Sequence, residues 1–187
     1  MRLIAGFHKG RRLEAPPGRI ARPTADRVRQ ALFDILAHTD LVDLDGAVVV
    51  DAFAGSGALG LEALSRGAAH ASFLEQDAQS LAAIYANIKA LGEENRTKVI
   101  RIDATKPPIA PRRCTLAFLD PPYHSGLIEP CLEALAAKNW LADQALVVVE
   151  MAEAETLAPP AGFREVDQRD RGAAKLVFLV YAGEQNP

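Results

Sequence analysis

Short apolar runs alternate with longer amphipathic stretches along most of the chain. Five runs have the apolar, β-branched character of buried strands, at residues 48–53, 71–74, 99–102, 115–119 and 145–149. Amphipathic or alanine-rich segments separate most of them, and this alternation is typical of a parallel sheet with crossover helices. Residues 163–168 and 175–181 predict two further strands, joined by a turn at 170–173.

The predicted helices follow the same alternation. Residues 61–66 form a short helical segment that ends at Gly67, and residues 127–137 form another. Residues 78–91 form a longer helix that Gly92 ends, with an inward stripe predicted at Leu81, Ile84, Tyr85, Ile88 and Leu91. A further helix is expected from Thr24, with both Arg27 and Arg29 on its outer faces.

A glycine-rich turn follows the first predicted strand. Gly55, Gly57 and Gly60 satisfy the pattern G-x-G-x-x-G between a strand and a helix, where glycines allow a sharp turn and close approach of a ligand. Glu75 follows Gly55 by 20 residues at the end of the next strand, where a carboxylate accepts ribose hydroxyl protons. By itself this pattern suggests a dinucleotide-binding dehydrogenase.

Asp51 argues against a dinucleotide. It lies four residues before Gly55, and we expect its carboxylate to point into the crevice where a diphosphate would lie. A carboxylate repels phosphate and attracts a cationic amine or a sulfonium. S-adenosylmethionine carries both cations together with a ribose, and it has no phosphate.

The turn Asp120-Pro121-Pro122-Tyr123 follows the strand predicted at 115–119. Ligands of open α/β sheets bind at the carboxyl ends of the strands, where this turn is expected. Prolines make the turn stiff and leave carbonyl oxygens available as acceptors, while the tyrosine offers a flat face for stacking. Acceptors beside a stacking ring suit a planar group that carries an NH2, such as a nucleobase.

Together, Asp51, the glycine turn, Glu75 and the Asp-Pro-Pro-Tyr turn resemble the class I methyltransferases that modify an exocyclic amine of a nucleobase. The resemblance implies a Rossmann-like α/β fold with a seven-stranded, mostly parallel sheet and an antiparallel C-terminal hairpin. It also implies S-adenosyl-L-methionine as cofactor, bound by Asp51, Phe53, Ala54, Gly55, Ser56, Gly57, Glu75, Gln76, Asp103 and Ala104. Asp120, Pro121, Pro122 and Tyr123 would then hold the target base and carry the chemistry.

Charge is distributed unevenly along the chain. The first 30 residues hold eight basic and two acidic residues, a net charge of +6, although the whole chain has a net charge of −3. This block predicts a basic hairpin and helix that bind a polyanion. We expect RNA contacts from Arg11, Arg12, Arg22, Arg27 and Arg29, and we expect this block to be separate from the cofactor site.

The basic block also carries the most specific family resemblance. Residues 2–6, 9–13 and 22–29, the glycine turn 53–66 and residues 139–141 resemble the RsmD-type bacterial methyltransferases, which modify guanine N2 of 16S ribosomal RNA. The resemblance implies 16S rRNA as partner, within the small ribosomal subunit or an assembly intermediate. We divide the chain into a basic N-terminal extension at 1–40, packed on the core, and a methyltransferase domain at 41–187.

Cysteine, histidine and hydropathy patterns limit the other possibilities. Cys114 and Cys131 have no pairing pattern, which favours a reducing, cytoplasmic location. The four histidines are scattered without ligand spacing, and no apolar run approaches membrane-spanning length, so we expect neither a metal nor a membrane. We also expect a monomer.

Three other classes compete with this interpretation. A DNA adenine-N6 methyltransferase shares the Asp-Pro-Pro-Tyr turn, although 187 residues leave little room for a target-recognition region. A dehydrogenase requires a catalytic acid–base pair that the sequence does not reveal. A non-catalytic RNA-binding module explains the basic block but gives no role to Asp51, Glu75 and Asp120.

Overall fold

Seven strands form one sheet in the computed structural model, which describes residues 1–16 and 23–183. They are β1 Val48–Ala52, β2 His70–Glu75, β3 Thr97–Arg101, β4 Cys114–Leu119, β5 Leu141–Ala152, β6 Phe163–Arg171 and β7 Ala174–Tyr181. Their order across the sheet is β3-β2-β1-β4-β5-β7-β6. Strands β1 to β5 are parallel, and β7 pairs antiparallel with both β5 and β6. The predicted fold class is confirmed.

The chain reverses its direction of travel across the sheet between β1 and β4. From β1 it proceeds outward through β2 to β3, and it then returns to place β4 on the other side of β1. Ala52 at the end of β1 is level with Leu119 at the end of β4. In open α/β sheets this switch point creates a crevice at the carboxyl ends of the two strands, and the glycine turn and Asp120 both lie at this edge.

In the described part of the chain, four α-helices cover the two faces of the sheet: α1 Pro23–Leu36, α2 Ala58–Ser65, α3 Ala78–Leu91 and α4 Ile128–Ala137. Helix α3 has the predicted bounds because both of its ends are capped. The Asp77 carboxylate accepts a hydrogen bond from the Ser80 N–H at 2.8 Å, and Gly92 ends the helix in the left-handed conformation. The predicted inward stripe is wrong at one position, because Tyr85 is 56% exposed.

The strands are apolar without alternation because both faces of the sheet are buried. Val49, Leu116 and Phe118 join a cluster with α1, α2 and α3, whereas Val50 and Ala117 join a second cluster with α4. Successive side chains of a strand point to opposite faces, so each helix layer receives every second residue. This double burial fixes the register that brings the strand ends level.

The first 13 residues form an antiparallel pair of segments, called here the N-terminal hairpin. Leu3 N–H donates to the Arg11 carbonyl at 3.0 Å, and Leu13 N–H donates to the Met1 carbonyl at 3.1 Å. Leu3 and Leu13 are 2% exposed and belong to the same apolar cluster as Phe33 of α1. The hairpin therefore shares its core with the sheet.

Candidate active site

Three carboxylates lie near one another at the switch point. Asp51 belongs to β1, Glu75 ends β2, and Asp120 directly follows β4. Burial raises the pKa of the Asp51 carboxyl well above its usual range; the Gly60 N–H opposes this shift, and the charges of Asp120 and Glu75 add to it. The charges of Asp120 and Glu75 therefore make the site negative, which disfavours a diphosphate and suits a cationic ligand.

Asp51 lies beneath the glycine turn. It is 1% exposed, and its Oδ2 accepts a hydrogen bond from the Gly60 N–H at 2.9 Å. The side chain is therefore shielded from solvent, and its contribution to the crevice stays a prediction. The carboxylate holds the loop at the start of α2.

The glycine turn depends on its glycines at three positions. Gly55 and Gly57 have φ angles of +57° and +77°, in the left-handed region that glycine favours. A Cβ at Gly60 would lie 2.5 Å from Cε1 of Phe73, so only glycine allows α2 to pack this closely on β2. Phe53 also has a positive φ, 63°, although it is not a glycine. The loop is therefore conformationally specified where strand β1 ends.

Glu75 is oriented by backbone N–H groups. Its Oε2 accepts from Gly55 N–H at 2.8 Å, and its Oε1 accepts from the N–H groups of Gln76 and Asp77, each at 2.8 Å. The carboxylate thus joins the glycine turn to the beginning of α3. This arrangement presents it at the carboxyl edge of the sheet, next to the turn, as the sequence predicted. Gln76 itself is exposed.

Asp103 and Ala104 follow β3 in a compact turn. The Asp103 Oδ1 accepts hydrogen bonds from the Thr105 N–H at 2.9 Å and from the Thr105 hydroxyl at 2.8 Å. Both hydrogen bonds lower the pKa of the Asp103 carboxyl, and the one from the Thr105 backbone N–H has the larger effect. Ala104 is buried, and its carbonyl faces the Cys131 thiol at 3.4 Å. Asp103 therefore has a local structural role in addition to any contact with a ligand.

The Asp-Pro-Pro-Tyr turn continues directly from β4. Asp120 and Pro122 are exposed, whereas Pro121 is buried. Tyr123 is 42% exposed, and its hydroxyl donates to Glu150 Oε1 at 3.1 Å. Since the hydroxyl end of the ring is held, the tyrosine presents an oriented aromatic surface beside Asp120.

Glu150 is a site residue that the sequence analysis missed. It lies in β5, next to β4, and burial raises the pKa of its carboxyl while the Tyr123 hydroxyl opposes that shift. The signal was available, because Glu150 follows the apolar run 145–149 as Asp120 follows 115–119. Glu155 secures the same turn, since it accepts from the His124 N–H and the Ala152 N–H, both at 2.9 Å.

The predicted RNA-binding arginines do not all lie on the surface. Arg11, Arg12 and Arg27 are exposed, and Arg22 lies outside the described residues. Arg29 is 6% exposed, so its placement on an outer helix face is wrong. Its guanidinium donates to the Arg2 carbonyl at 2.7 Å and pairs with the Asp26 carboxylate at 3.2 Å. It fixes the hairpin to α1 and is not presented to a phosphate.

Asn87 of α3 connects residues 1–16, called here the N-terminal segment, to the glycine turn. It is 1% exposed; its Oδ1 accepts from Glu14 N–H at 2.7 Å, and its Nδ2 lies 3.0 Å from both the Glu14 and Ser56 carbonyls. Ser56 Oγ also lies 3.9 Å from Met1 Sδ. The expectation that the basic block is separate from the cofactor site is wrong, because the Asn87 side chain bonds both to Glu14 of that block and to Ser56 of the glycine turn.

Within residues 1–16 and 23–183, no helix is long and apolar enough to cross a bilayer. No group of three or more histidine, cysteine or acidic side chains within those ranges is arranged to hold a metal ion.

The sheet order, the glycine turn and the strand-end carboxylates define a Rossmann-like methyltransferase. The chain belongs to the family described as conserved hypothetical protein 95, whose pattern matches residues 1–180. It is 37% identical over 187 residues to ribosomal RNA small subunit methyltransferase D of Escherichia coli K12, covering 98% of this chain and 90% of that protein. The Haemophilus influenzae protein of the same name is 34% identical over 176 residues, which is 92% of this chain and 89% of that protein.

Solved structures agree with this assignment. The structure of yhhF from Escherichia coli superposes with a TM-score of 0.82 at 34% identity, covering 98% of this chain and 99% of that one. The predicted family and the predicted enzyme class are confirmed. A dehydrogenase and a non-catalytic module are not favoured.

Proposed function

We propose that this protein transfers a methyl group from S-adenosyl-L-methionine to the exocyclic N2 amine of a guanine in 16S ribosomal RNA. The observation that carries the proposal is the Asp-Pro-Pro-Tyr turn beside Asp51 and Glu75, in a chain related over nearly its whole length to proteins named ribosomal RNA small subunit methyltransferase D. We place the reaction in the cytoplasm, on the small subunit or an assembly intermediate, and we propose that the protein acts as a monomer.

The residues at the switch point suit this cofactor. The burial of Asp51 beside Asp120 and Glu75 makes a cation at this position favourable, because it relieves carboxylate repulsion. We assign the methionine end to Asp51 and the loop Phe53, Ala54, Gly55, Ser56 and Gly57, and the ribose to Glu75. We assign binding of the adenine to Gln76, Asp103 and Ala104. When bound, the cofactor supplies an electrophilic methyl group on a sulfonium.

Asp120 and Pro121 act on the target amine. The lone pair of an exocyclic amine is delocalised into the ring, and hydrogen bonds from its NH2 to the Asp120 carboxylate and the Pro121 carbonyl localise it on nitrogen. Asp120 then accepts the proton that the product amine loses, directly or through water. Pro122 keeps the turn stiff, and Pro121 has no N–H to compete for these acceptors.

Tyr123 holds the base in the attacking position. Its ring stacks on the guanine, and Glu150 fixes the ring through the 3.1 Å hydrogen bond to the hydroxyl. A guanine inside a structured RNA must first leave its stack to reach this turn. Arg11, Arg12, Arg22 and Arg27 then contribute phosphate contacts away from the reacting base.

The test is methylation of RNA by the purified protein. Labelled S-adenosylmethionine is supplied with deproteinised 16S rRNA or with intact small subunits from cells that lack the protein, and the products are digested for mass spectrometry. We expect N2-methylguanosine as product, and calorimetry should show binding of S-adenosylmethionine but not of NAD. N6-methyladenine in DNA, or no methylated guanine in either RNA, would contradict the proposal.

A further inference from the structure

The tip of the N-terminal hairpin presents an aromatic side chain to solvent. Phe7 is 88% exposed, more than any other large apolar side chain in the described part of the chain. Its exposed neighbours in the hairpin are Gly6, Lys9 and Gly10. The ring is thus an isolated aromatic surface among small and basic residues, not part of an apolar patch.

The backbone under Phe7 is held firmly. Its N–H donates to the Ser65 carbonyl at 2.7 Å, and the next N–H, from His8, donates to Ser65 Oγ at 2.9 Å. Gly6 has a φ of +77°, and a Cβ there would lie 1.7 Å from the Ser65 carbonyl oxygen. The tip therefore lies directly against the C-terminal end of α2, and the exposed ring rises from a fixed base.

The ring itself is also oriented. The Phe7 and His8 rings meet at 83° with centroids 4.9 Å apart, which is a favourable edge-to-face geometry. His8 is buried, and its Nε2 lies 2.5 Å from Glu93 Oε1. Because the histidine is fixed from beneath, Phe7 loses little side-chain freedom when a ligand covers it.

Basic residues follow Phe7 in the same hairpin. Lys9 and Arg12 are exposed on the hairpin, and Arg11 is exposed while its guanidinium donates to the Ala90 carbonyl at 2.7 Å. Exposed aromatic rings bordered by cations are the usual means of binding single-stranded nucleic acid, since each base stacks while its phosphate is neutralised. A duplex offers phosphates but no free base face, so the ring would be unused.

We propose that Phe7 is a stacking platform for one unpaired base of the RNA substrate, with Lys9 and Arg12 at the adjacent phosphates. This inference rests on the proposed function and adds a second base contact to it. The base on Phe7 is not the methylated one. The tip contacts Ser65 at the far end of α2, and eight helical residues place that end about 12 Å from the glycine turn.

Four variants test the platform: Phe7→Ala, Phe7→Trp, Phe7→Leu and, as a control, Ile109→Ala. Ile109 is 73% exposed, and its neighbour Ala110 packs in the α4 cluster, on the opposite face of the sheet from the hairpin. The probe is a fluorescein-labelled oligouridine about 12 nucleotides long, within the range of single-strand binding sites. Binding is measured without S-adenosylmethionine across a salt series, and sedimentation is run in parallel.

Phe7→Ala and Phe7→Leu should weaken oligouridine binding by about 5- to 150-fold, because aromatic stacking is lost. Phe7→Trp and Ile109→Ala should bind as the unaltered protein does. The salt slope should stay the same in all four, since no phosphate contact changes. With rRNA as substrate, Phe7→Ala should raise KM and leave kcat unchanged.

Several results would overturn the platform. These are wild-type affinity in Phe7→Ala, wild-type affinity in Phe7→Leu, or no measurable oligouridine binding by the unaltered protein. A dimer that Phe7→Ala converts to a monomer would also do so, because a second copy would then cover the ring. If the unaltered protein methylates rRNA and Phe7→Ala matches it in KM, the platform alone fails. If it binds oligouridine through Phe7 but methylates no guanine, the proposed function alone fails.

Discussion

Replacing Asn87 with alanine should weaken both the N-terminal segment and the cofactor loop. The substitution removes three hydrogen bonds, two to Glu14 and one to Ser56. At about 0.5–1.5 kcal/mol for each bond, the free energy of unfolding should fall by about 1.5–4.5 kcal/mol. One kcal/mol corresponds to roughly 2–4 °C in a domain of this size, so we expect Tm to fall by about 3–18 °C.

The same substitution should also lower the affinity of the glycine turn for S-adenosylmethionine. Without the bond to the Ser56 carbonyl, ordering of the loop on binding costs about 1 kcal/mol more, which corresponds to roughly fivefold weaker S-adenosylmethionine affinity. Calorimetry below the variant's Tm measures this change, and hydrogen exchange of the Leu3 and Leu13 amides reports on the hairpin. Gln79→Ala, an exposed change on the same helix, is the control. Faster hydrogen exchange with unchanged cofactor affinity would refute the coupling.

Three further predictions follow from the site and the hairpin. Asp120→Ala should lower turnover by on the order of 10²–10⁴ and leave cofactor affinity nearly intact; cofactor loss with normal turnover at saturation would make Asp120 a binding residue. The raised pKa of Asp51 means that the folded protein retains a proton which the unfolded chain releases near pH 4. Stability should therefore decline as pH rises from about 4 toward the folded pKa, and Asp51→Asn should remove this decline in urea denaturation; an unchanged profile would show that Asp51 is not its source. Replacing Arg11 and Arg12 with alanine should reduce the slope of log binding constant against log salt concentration by roughly one to one and a half units. Replacing the exposed pair Arg112 and Arg113 with alanine is the matched control and should leave this slope unchanged. Equal slopes for the two double variants would contradict a specific role for the hairpin.

The sequence predicted the sheet and the positions of the strand-end carboxylates because both depend on local signals. Buried strands give uninterrupted apolar runs, and carboxylates that follow such runs must meet at one edge of a parallel sheet. Helix α3 has its predicted bounds because Asp77 and Gly92 specify its ends through contacts within a few residues. The family resemblance then supplied the roles that single residues could not.

The features that the sequence did not predict depend on long-range packing. Tyr85 and Asn87 both border the apolar stripe of α3. The N-terminal segment packs against Asn87, so Asn87 is buried and Tyr85 is exposed. Arg29 is buried because the first residues of the hairpin pack over it, as its hydrogen bond to the Arg2 carbonyl shows. A prediction from side-chain charge alone places it on the outside of the helix. Asp51 is hidden by the loop that follows it, since the Gly60 N–H accommodates the carboxylate.

Several contacts that hold the N-terminal hairpin come from segments that are synthesised after it. The N–H groups of Ile4 and Ala5 donate to the Glu62 carboxylate at 2.8 and 3.1 Å, and His8 pairs with Glu93. At about 5–20 residues per second, synthesis reaches Glu93 roughly 4–17 s after His8. A truncated chain that ends before α2 should therefore leave the hairpin unformed. During translation the most basic part of the protein leaves the ribosome as an unfolded segment, and its final contacts must wait for the enzyme's core.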